Sequence, residues 1–195
     1  AVPATEKTAI NGNWVTGPGA AFFEKIYRYL GELKIIAEDL GEISTEVIKL
    51  RDKLGFPGMK VLQFAFDGNP GNHFLPHNFS DPNCVVYTGT HDNDTTLGWF
   101  LSSQLDDLLR KEIKRVANRE MHDASPIHQD LIYLALSSTA SLAVIPLQDL
   151  FGFGSDCRMN TPGVAEGNWK WRCHEKHLTD ERAGYLKGLC RRFGR

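Results

Sequence analysis

Cys84-Val85-Val86-Tyr87-Thr88-Gly89-Thr90-His91-Asp92-Asn93-Asp94-Thr95 decides how the chain is read. A short apolar run, bounded by turn residues and rich in β-branched side chains, is the mark of a buried strand. It passes directly into a loop dense in His, Asp and Asn. The same design recurs on either side. Leu33 to Ala37 reads as a buried strand followed by Glu38-Asp39. Met59 to Phe66 reads as a second, with Gln63 inside it and a His- and Asn-rich loop, Asp67 to Asn83, after it. Leu142 to Leu147 reads as the fourth, followed by Gln148-Asp149.

Helical patterns separate these runs. Ala20 to Leu30 fits a short helix. Ser44 is a natural N-cap, and Glu46 lies in the first turn, where the helix dipole favours an anion. Val47, Leu50 and Leu54 then share one face. Leu105, Leu108, Leu109, Ile113 and Val116 mark an amphipathic helix. Ser125-Pro126 predicts the start of another, with Ser as cap and Pro at the first helical position. A last helix is predicted from about Thr179 to Arg192. Strands alternating with helices, each strand short and nearly all apolar, predict an α/β fold with a parallel sheet covered on both faces.

Composition narrows the function. The chain has 195 residues, 42% hydrophobic and 24% charged, with 22 basic against 24 acidic side chains. That balance leaves no dense basic surface for nucleic acid. The longest mostly apolar stretch, Ser141 to Phe153, is too short to span a bilayer and contains Gln148 and Asp149. Glu6, Lys7 and Asn11 interrupt any leader-like run, so no export signal is read. None of the four cysteines, Cys84, Cys157, Cys173 and Cys190, forms a C-x-x-C pair. Free thiols in a reducing cytoplasm are the expectation.

The polar residues gather at strand ends. In parallel α/β folds the loops after the carboxyl ends of strands build the active site. Taken singly, Glu38 could cap a helix and Asp92 could make a tight turn. Four successive strand ends carrying such groups point to a site instead. Carboxylates converging without a metal motif fit glycosyl chemistry, in which one protonates the leaving oxygen and another attacks or stabilises the transition state. Trp99, Phe151, Phe153, Trp169 and Trp171 could stack on sugar rings, although aromatics as often supply core area. The rival reading is a metal hydrolase with His91, Asp92 and Asp94 as ligands. It is disfavoured because Asp92 and Asp94 would point to opposite sides of an extended segment. A cluster of Cys173, His174 and His177 lacks a second ligand pair. Neither G-x-G-x-x-G nor G-x-x-x-x-G-K-[ST] occurs.

At these residues the sequence resembles the 4-alpha-glucanotransferases, the amylomaltase or disproportionating-enzyme family (glycoside hydrolase family 77). The matching stretches are Asn11-Gly12-Asn13-Trp14-Val15, Ile35-Ile36-Ala37-Glu38-Asp39-Leu40-Gly41 and Gly55 to Phe66. They continue with Leu75-Pro76-His77-Asn78, Tyr87 to Thr95 and Pro146-Leu147-Gln148-Asp149-Leu150. Arg158-Met159-Asn160-Thr161-Pro162-Gly163 and Gly167-Asn168-Trp169-Lys170-Trp171-Arg172 complete the set. The resemblance implies a TIM-like (β/α)8 barrel, of which residues 1–195 supply the C-terminal half, about strands five to eight. It implies Glu38 as general acid/base and Asp92 as the second carboxylate, which binds sugar hydroxyls and stabilises the transition state. His91 would bond the donor sugar, His77 and Asn78 would line an acceptor-side wall, and Gln148 and Trp169 would contact substrate. No metal and no organic cofactor is implied. The implied partners are α-1,4-glucans and maltooligosaccharides, with glucose as acceptor, and neither nucleic acid nor membrane.

One departure is large. The family's nucleophile is an Asp in an Arg-x-Asp-His motif, and no such motif occurs in these 195 residues. The expectation is that the N-terminal half of the barrel, with the nucleophile, lies outside this chain, and that the chain alone is inactive. The alternative is a non-catalytic sugar-binding fragment or subunit.

Overall fold

A computed structural model of the chain describes residues 1–117 and 125–195. These form two compact units, residues 1–57 and 58–195. The first holds two helices, α1 (Ala20–Leu30) and α2 (Thr45–Lys53). Ser44 caps α2 as predicted, its hydroxyl accepting the Val47 N–H at 3.4 Å. The helix ends where Gly55 turns into the left-handed region at φ +68°. There the Phe56 N–H reaches the Arg51 carbonyl (3.1 Å) and the Gly55 N–H the Asp52 carbonyl (3.0 Å), closing a Schellman turn. The turn aims Phe56 at Phe23 of α1, edge to face at 5.0 Å.

The predicted strand Leu33–Ala37 is not a strand. Its unit contains no strand for it to pair with, and an apolar run without a ladder partner has no sheet to join. Instead the Ala37 N–H makes a single bond to the Pro57 carbonyl at 2.9 Å.

The second unit is built on a three-stranded parallel sheet in chain order, β1 (Gly58–Val61), β2 (Cys84–Tyr87) and β3 (Leu142–Val144). Gly58 pairs with Cys84 and Val61 with Tyr87, and Val85 to Tyr87 pair with Leu142 to Val144. All three carboxyl ends therefore lie on the same side. The strands are shorter than predicted. β1 stops at Val61, and Leu62–Phe64 closes into a 3₁₀ turn. Gln63 thus leaves the sheet, and its amide donates to the Asp94 carbonyl at 2.9 Å. β3 stops at Val144, two residues before Pro146, which cannot donate to a ladder. Leu147–Phe151 then forms a short helix, α6, ended by Gly152 in the left-handed conformation.

Helices α3 (Thr96–Leu101), α4 (Asp107–Ala117) and α5 (Ile127–Leu136) fill the crossover from β2 to β3. Ser125 does not cap α5: Pro126 takes that position. The Ser125 hydroxyl instead donates to Asp130 at 2.5 Å, and the Lys114 ammonium of α4 pairs with the same carboxylate. After its polar first turn, where Gln129 is exposed, α5 is apolar around its circumference and mostly buried. One face packs Leu131, Leu134 and Ala135 against Leu62, Val86 and Ile113. The other sets Ile132 and Leu136 against Leu189 of α7 (Asp180–Arg192), which is capped by Thr179, its side chain accepting the Arg182 N–H. None of the described helices is long and apolar enough to cross a membrane.

Leu131 has no exposed surface and sits at the centre of the larger cluster. Leu131→Ala is expected to cost about 2–5 kcal/mol, the range for a large-to-small change in a core that cannot collapse. A urea midpoint unchanged from the parent would contradict this account of the core.

Candidate active site

The loop after β2 is shaped by its own short polar side chains. Asn93 Oδ1 accepts both the Thr90 N–H and the Thr90 hydroxyl, each at 2.8 Å, which folds the loop back and turns His91 and Asp92 outward. A Cβ at Gly89 would lie 2.6 Å from Gln63 Nε2, so a larger residue there displaces the Gln63 amide that holds the Asp94 carbonyl. Asp92 is held from outside the loop. The Asn160 amide donates to its Oδ1 at 2.6 Å, and Arg158 Nη2 donates to its backbone carbonyl at 2.7 Å. His91 Nε2 lies 3.3 Å from the same Oδ1. The Asn160 N–H bonds the His91 carbonyl, so the 158–160 segment grips both residues of the pair.

Trp169 stands over this group. Its backbone is left-handed (φ +62°), the sole non-glycine among the described residues with positive φ. Such a conformation persists only when the surroundings hold it. Here the Trp169 N–H donates to the Met159 carbonyl at 2.8 Å, and Arg172 donates to the Trp169 carbonyl at 2.8 Å. The indole sits 5.0 Å from the His91 ring and is 53% exposed. Two other aromatics read as candidate platforms lie in helices and serve packing: Trp99 of α3 lies against the core beside Phe66, and Phe151 of α6 is buried.

A cavity of about 220 Å³ opens at the carboxyl ends of β2 and β3, lined among others by His91, Asp94, Gln148, Arg158 and Trp169. Of the residues read from sequence, His91, Gln148 and Trp169 share this cavity, and Asp92 adjoins it through its contacts with His91 and Asn160. Gln148 donates to the Cys157 carbonyl at 3.2 Å. His77 is elsewhere, lining a separate cavity of about 400 Å³ with Pro70, Leu109 and Arg115. Asn78 braces its own loop, its amide donating to the carbonyls of Pro70 (2.8 Å) and Asn72 (2.9 Å). Glu38 belongs to the first unit, where it is exposed, while the adjacent Asp39 is half-buried and paired with Arg51 of α2. The two neighbouring carboxylates thus stand in different surroundings.

Asp94 is engaged away from Asp92, accepting the Thr95 N–H and the Ser155 hydroxyl, each at 2.7 Å. Among the described residues no group of three His, Cys, Asp or Glu could hold a metal ion. Sequence reasoning assigned no role to Arg158 and Asn160, although they lie in a stretch it singled out. It noted Asp149 after the fourth apolar run but gave it no role of its own. That carboxylate is 2% exposed, accepts the Thr88 hydroxyl on one oxygen and accepts the Thr96 N–H at 2.7 Å on the other.

The sequence model of the 4-alpha-glucanotransferases matches residues 1–179. The chain belongs to the 4-alpha-glucanotransferase family. A 4-alpha-glucanotransferase of Synechocystis sp. is 52% identical over 195 residues, all of this chain and 38% of the relative. One from Thermus thermophilus is 44% identical, covering 96% of this chain and 38% of the relative. Among solved structures, an amylomaltase from Streptococcus agalactiae in complex with acarbose superposes with a TM-score of 0.89 at 34% identity. That match covers 98% of this chain and 38% of the other. The chain thus spans well under half the length of these relatives.

The buried carboxylate of Asp149 gives the chain a pH signature. Burial pushes the Asp149 carboxyl above the usual carboxylate range, against the opposing pull of its Thr88 and Thr96 donors. A group with a raised folded pKa holds its proton more tightly when folded. Its contribution is therefore most favourable below the unfolded value, about 3.9, and is lost as pH rises through the folded value. Asp149→Asn removes that titration. The melting temperature of the Asn variant minus that of the parent should climb as pH rises from about 4 through the folded value. A difference that stays flat with pH would show that Asp149 does not titrate this way.

Proposed function

We propose that this chain is the acid/base-bearing part of a glucan-transferring enzyme. The whole protein would move α-1,4-glucan segments between maltooligosaccharides, with glucose among the acceptors, by double displacement with retention. Residues 1–195 are read as the C-terminal portion of a single catalytic domain, carrying about strands five to eight of a TIM-like barrel. The N-terminal half of that barrel is the implied partner. Parallel strands in unbroken chain order, and the likeness to an amylomaltase along 98% of the chain, support this reading. Free thiols at all four cysteines are in keeping with a reducing cytoplasm as the place of work.

The observation that carries the functional reading is the grouping at the carboxyl ends of β2 and β3. An outward carboxylate, Asp92, stands beside His91, with the exposed face of Trp169 over the cavity. A carboxylate next to a ring-sized aromatic face suits a sugar, whose hydroxyls need acceptors and whose apolar face needs a platform. In the proposed sequence, Glu38 as the acid protonates the glycosidic oxygen of the departing glucan while an Asp outside this chain attacks the anomeric carbon. The Glu38 carboxylate then takes the proton of an acceptor sugar hydroxyl, whose oxygen displaces that Asp. Asp92 and His91 bond the donor sugar and stabilise the charge that develops, and Gln148 lines the same cavity. His77 and Asn78 are assigned to the acceptor side.

Three outcomes are expected. In the whole protein, Glu38→Gln should remove most transfer from maltotriose while the melting temperature stays near the parent's. Trp169→Ala should raise KM for maltotriose, with a stacking loss of about 1 kcal/mol or roughly fivefold. The purified 195-residue chain should give no ladder of longer and shorter glucans, since losing a nucleophile costs several orders of magnitude. A ladder formed at enzymatic rates by that chain would place the nucleophile within it. Binding of maltooligosaccharides by the whole protein with no transfer would favour a sugar-binding subunit.

A further inference from the structure

The loop that carries His91 and Asp92 begins after Thr88 and ends at Thr96. Both flanking residues are fully buried. A single carboxylate, Asp149 at the start of α6, reaches both of them: Oδ2 takes the Thr88 hydroxyl and Oδ1 the Thr96 N–H. We propose that Asp149 is a positioning residue, whose buried carboxylate pins the two ends of the 89–95 loop and so sets where His91 and Asp92 stand.

The contacts inside the loop make this pinning consequential. Thr90 and Asn93 close a small ring around His91 and Asp92, so the two side chains move with the loop as a body. Gln63 from the turn after β1 holds the Asp94 carbonyl, and Ser155 holds its carboxylate. These bonds constrain the outer arm. The distance between the loop's ends is set beneath them by Asp149, at a depth where water does not compete. Asp149 borders the 220 Å³ cavity, but both of its oxygens are taken by Thr88 and Thr96 and the residue is almost without exposed surface, so its influence on the site runs through the loop. It also joins neighbouring strands. β3 leads into α6, so Asp149 ties the segment after β3 to the loop after β2, beyond the ladder's last pair, Tyr87 with Val144.

This inference rests on the assignment of Asp92 to the reaction, and the test separates the two. In the whole natural protein, Thr88→Val keeps shape and removes the hydroxyl, Thr88→Ser keeps the hydroxyl, and Asp149→Asn removes the charge. Maltotriose disproportionation and amide hydrogen exchange across residues 89–96 are measured for each. The expected result is a fall in kcat of roughly 10–100-fold for Thr88→Val and Asp149→Asn, the size of loss that follows a displaced reacting group. KM should stay within about twofold, because binding contacts elsewhere are kept. Thr88→Ser should recover most of the parent rate. Exchange in the loop should quicken in the two impaired variants and not in Thr88→Ser. Parent-like kcat in Thr88→Val and Asp149→Asn would overturn the proposal. So would equal losses in Thr88→Val and Thr88→Ser, or losses that merely track the unfolded fraction. If Asp149→Asn does not fold, the Thr88 pair decides. If the parent protein transfers no glucan, the functional reading falls, and loop exchange alone decides whether Asp149 orders the loop.

Discussion

A buried carboxylate that accepts bonds from two separate segments is an expensive group to keep, and the second unit is arranged around one. Asp149 lies where β3 gives way to α6, and its donors sit at the end of β2 and the start of α3. Desolvation opposes its charge, and two donors offset part of that penalty. Removing either donor would leave a buried oxygen unsatisfied, which is why the arrangement tolerates little displacement. The parallel register of β2 and β3 brings the partners into range, since it sets both carboxyl ends at one level.

The short strands follow from the same economy of length. A ladder of three or four residues orients the chain and then releases it. The released segments carry the side chains that matter: Gln63 after β1, His91 and Asp92 after β2, Gln148 and Asp149 after β3. Stability comes from elsewhere, chiefly from α5, buried on both faces between two apolar clusters. Packing and chemistry thus occupy different parts of the unit, and loop residues can take unusual conformations without loosening the core. The left-handed backbone of Trp169 is the clearest case, held by Met159 and Arg172 in a segment remote from α5.

Much was legible from the chain alone where the signal is local. The cap at Ser44, the extent of the last helix and the β-branched run at Cys84–Tyr87 each follow from neighbours a few residues apart, and the structure places them within a residue or two. The apolar faces fare less well: Leu105 lies before α4, and Leu108 and Val47 are exposed. The gathering of polar residues after apolar runs pointed to the side of the sheet where the cavity opens. Two local readings failed for nonlocal reasons. Leu33–Ala37 has a strand's composition but no ladder partner in its unit. Ser125 has a capping side chain, but Asp130 and Lys114 draw it into a buried polar cluster.

By itself the sequence determined the α/β alternation, the family and the candidate side chains, because periodicity, capping and motif order are written along the chain. Tertiary structure decided which candidates meet. His91, Gln148 and Trp169 share one cavity and His77 lines another, a sorting that depends on where loops tens of residues apart fold back. It also raised Asp149 from one of several polar residues at a strand end to the bridge between two segments. No spacing rule announces that role, because the hydroxyl and amide that Asp149 binds lie 61 and 53 residues away in the chain, and only the register of β2 against β3 brings them together.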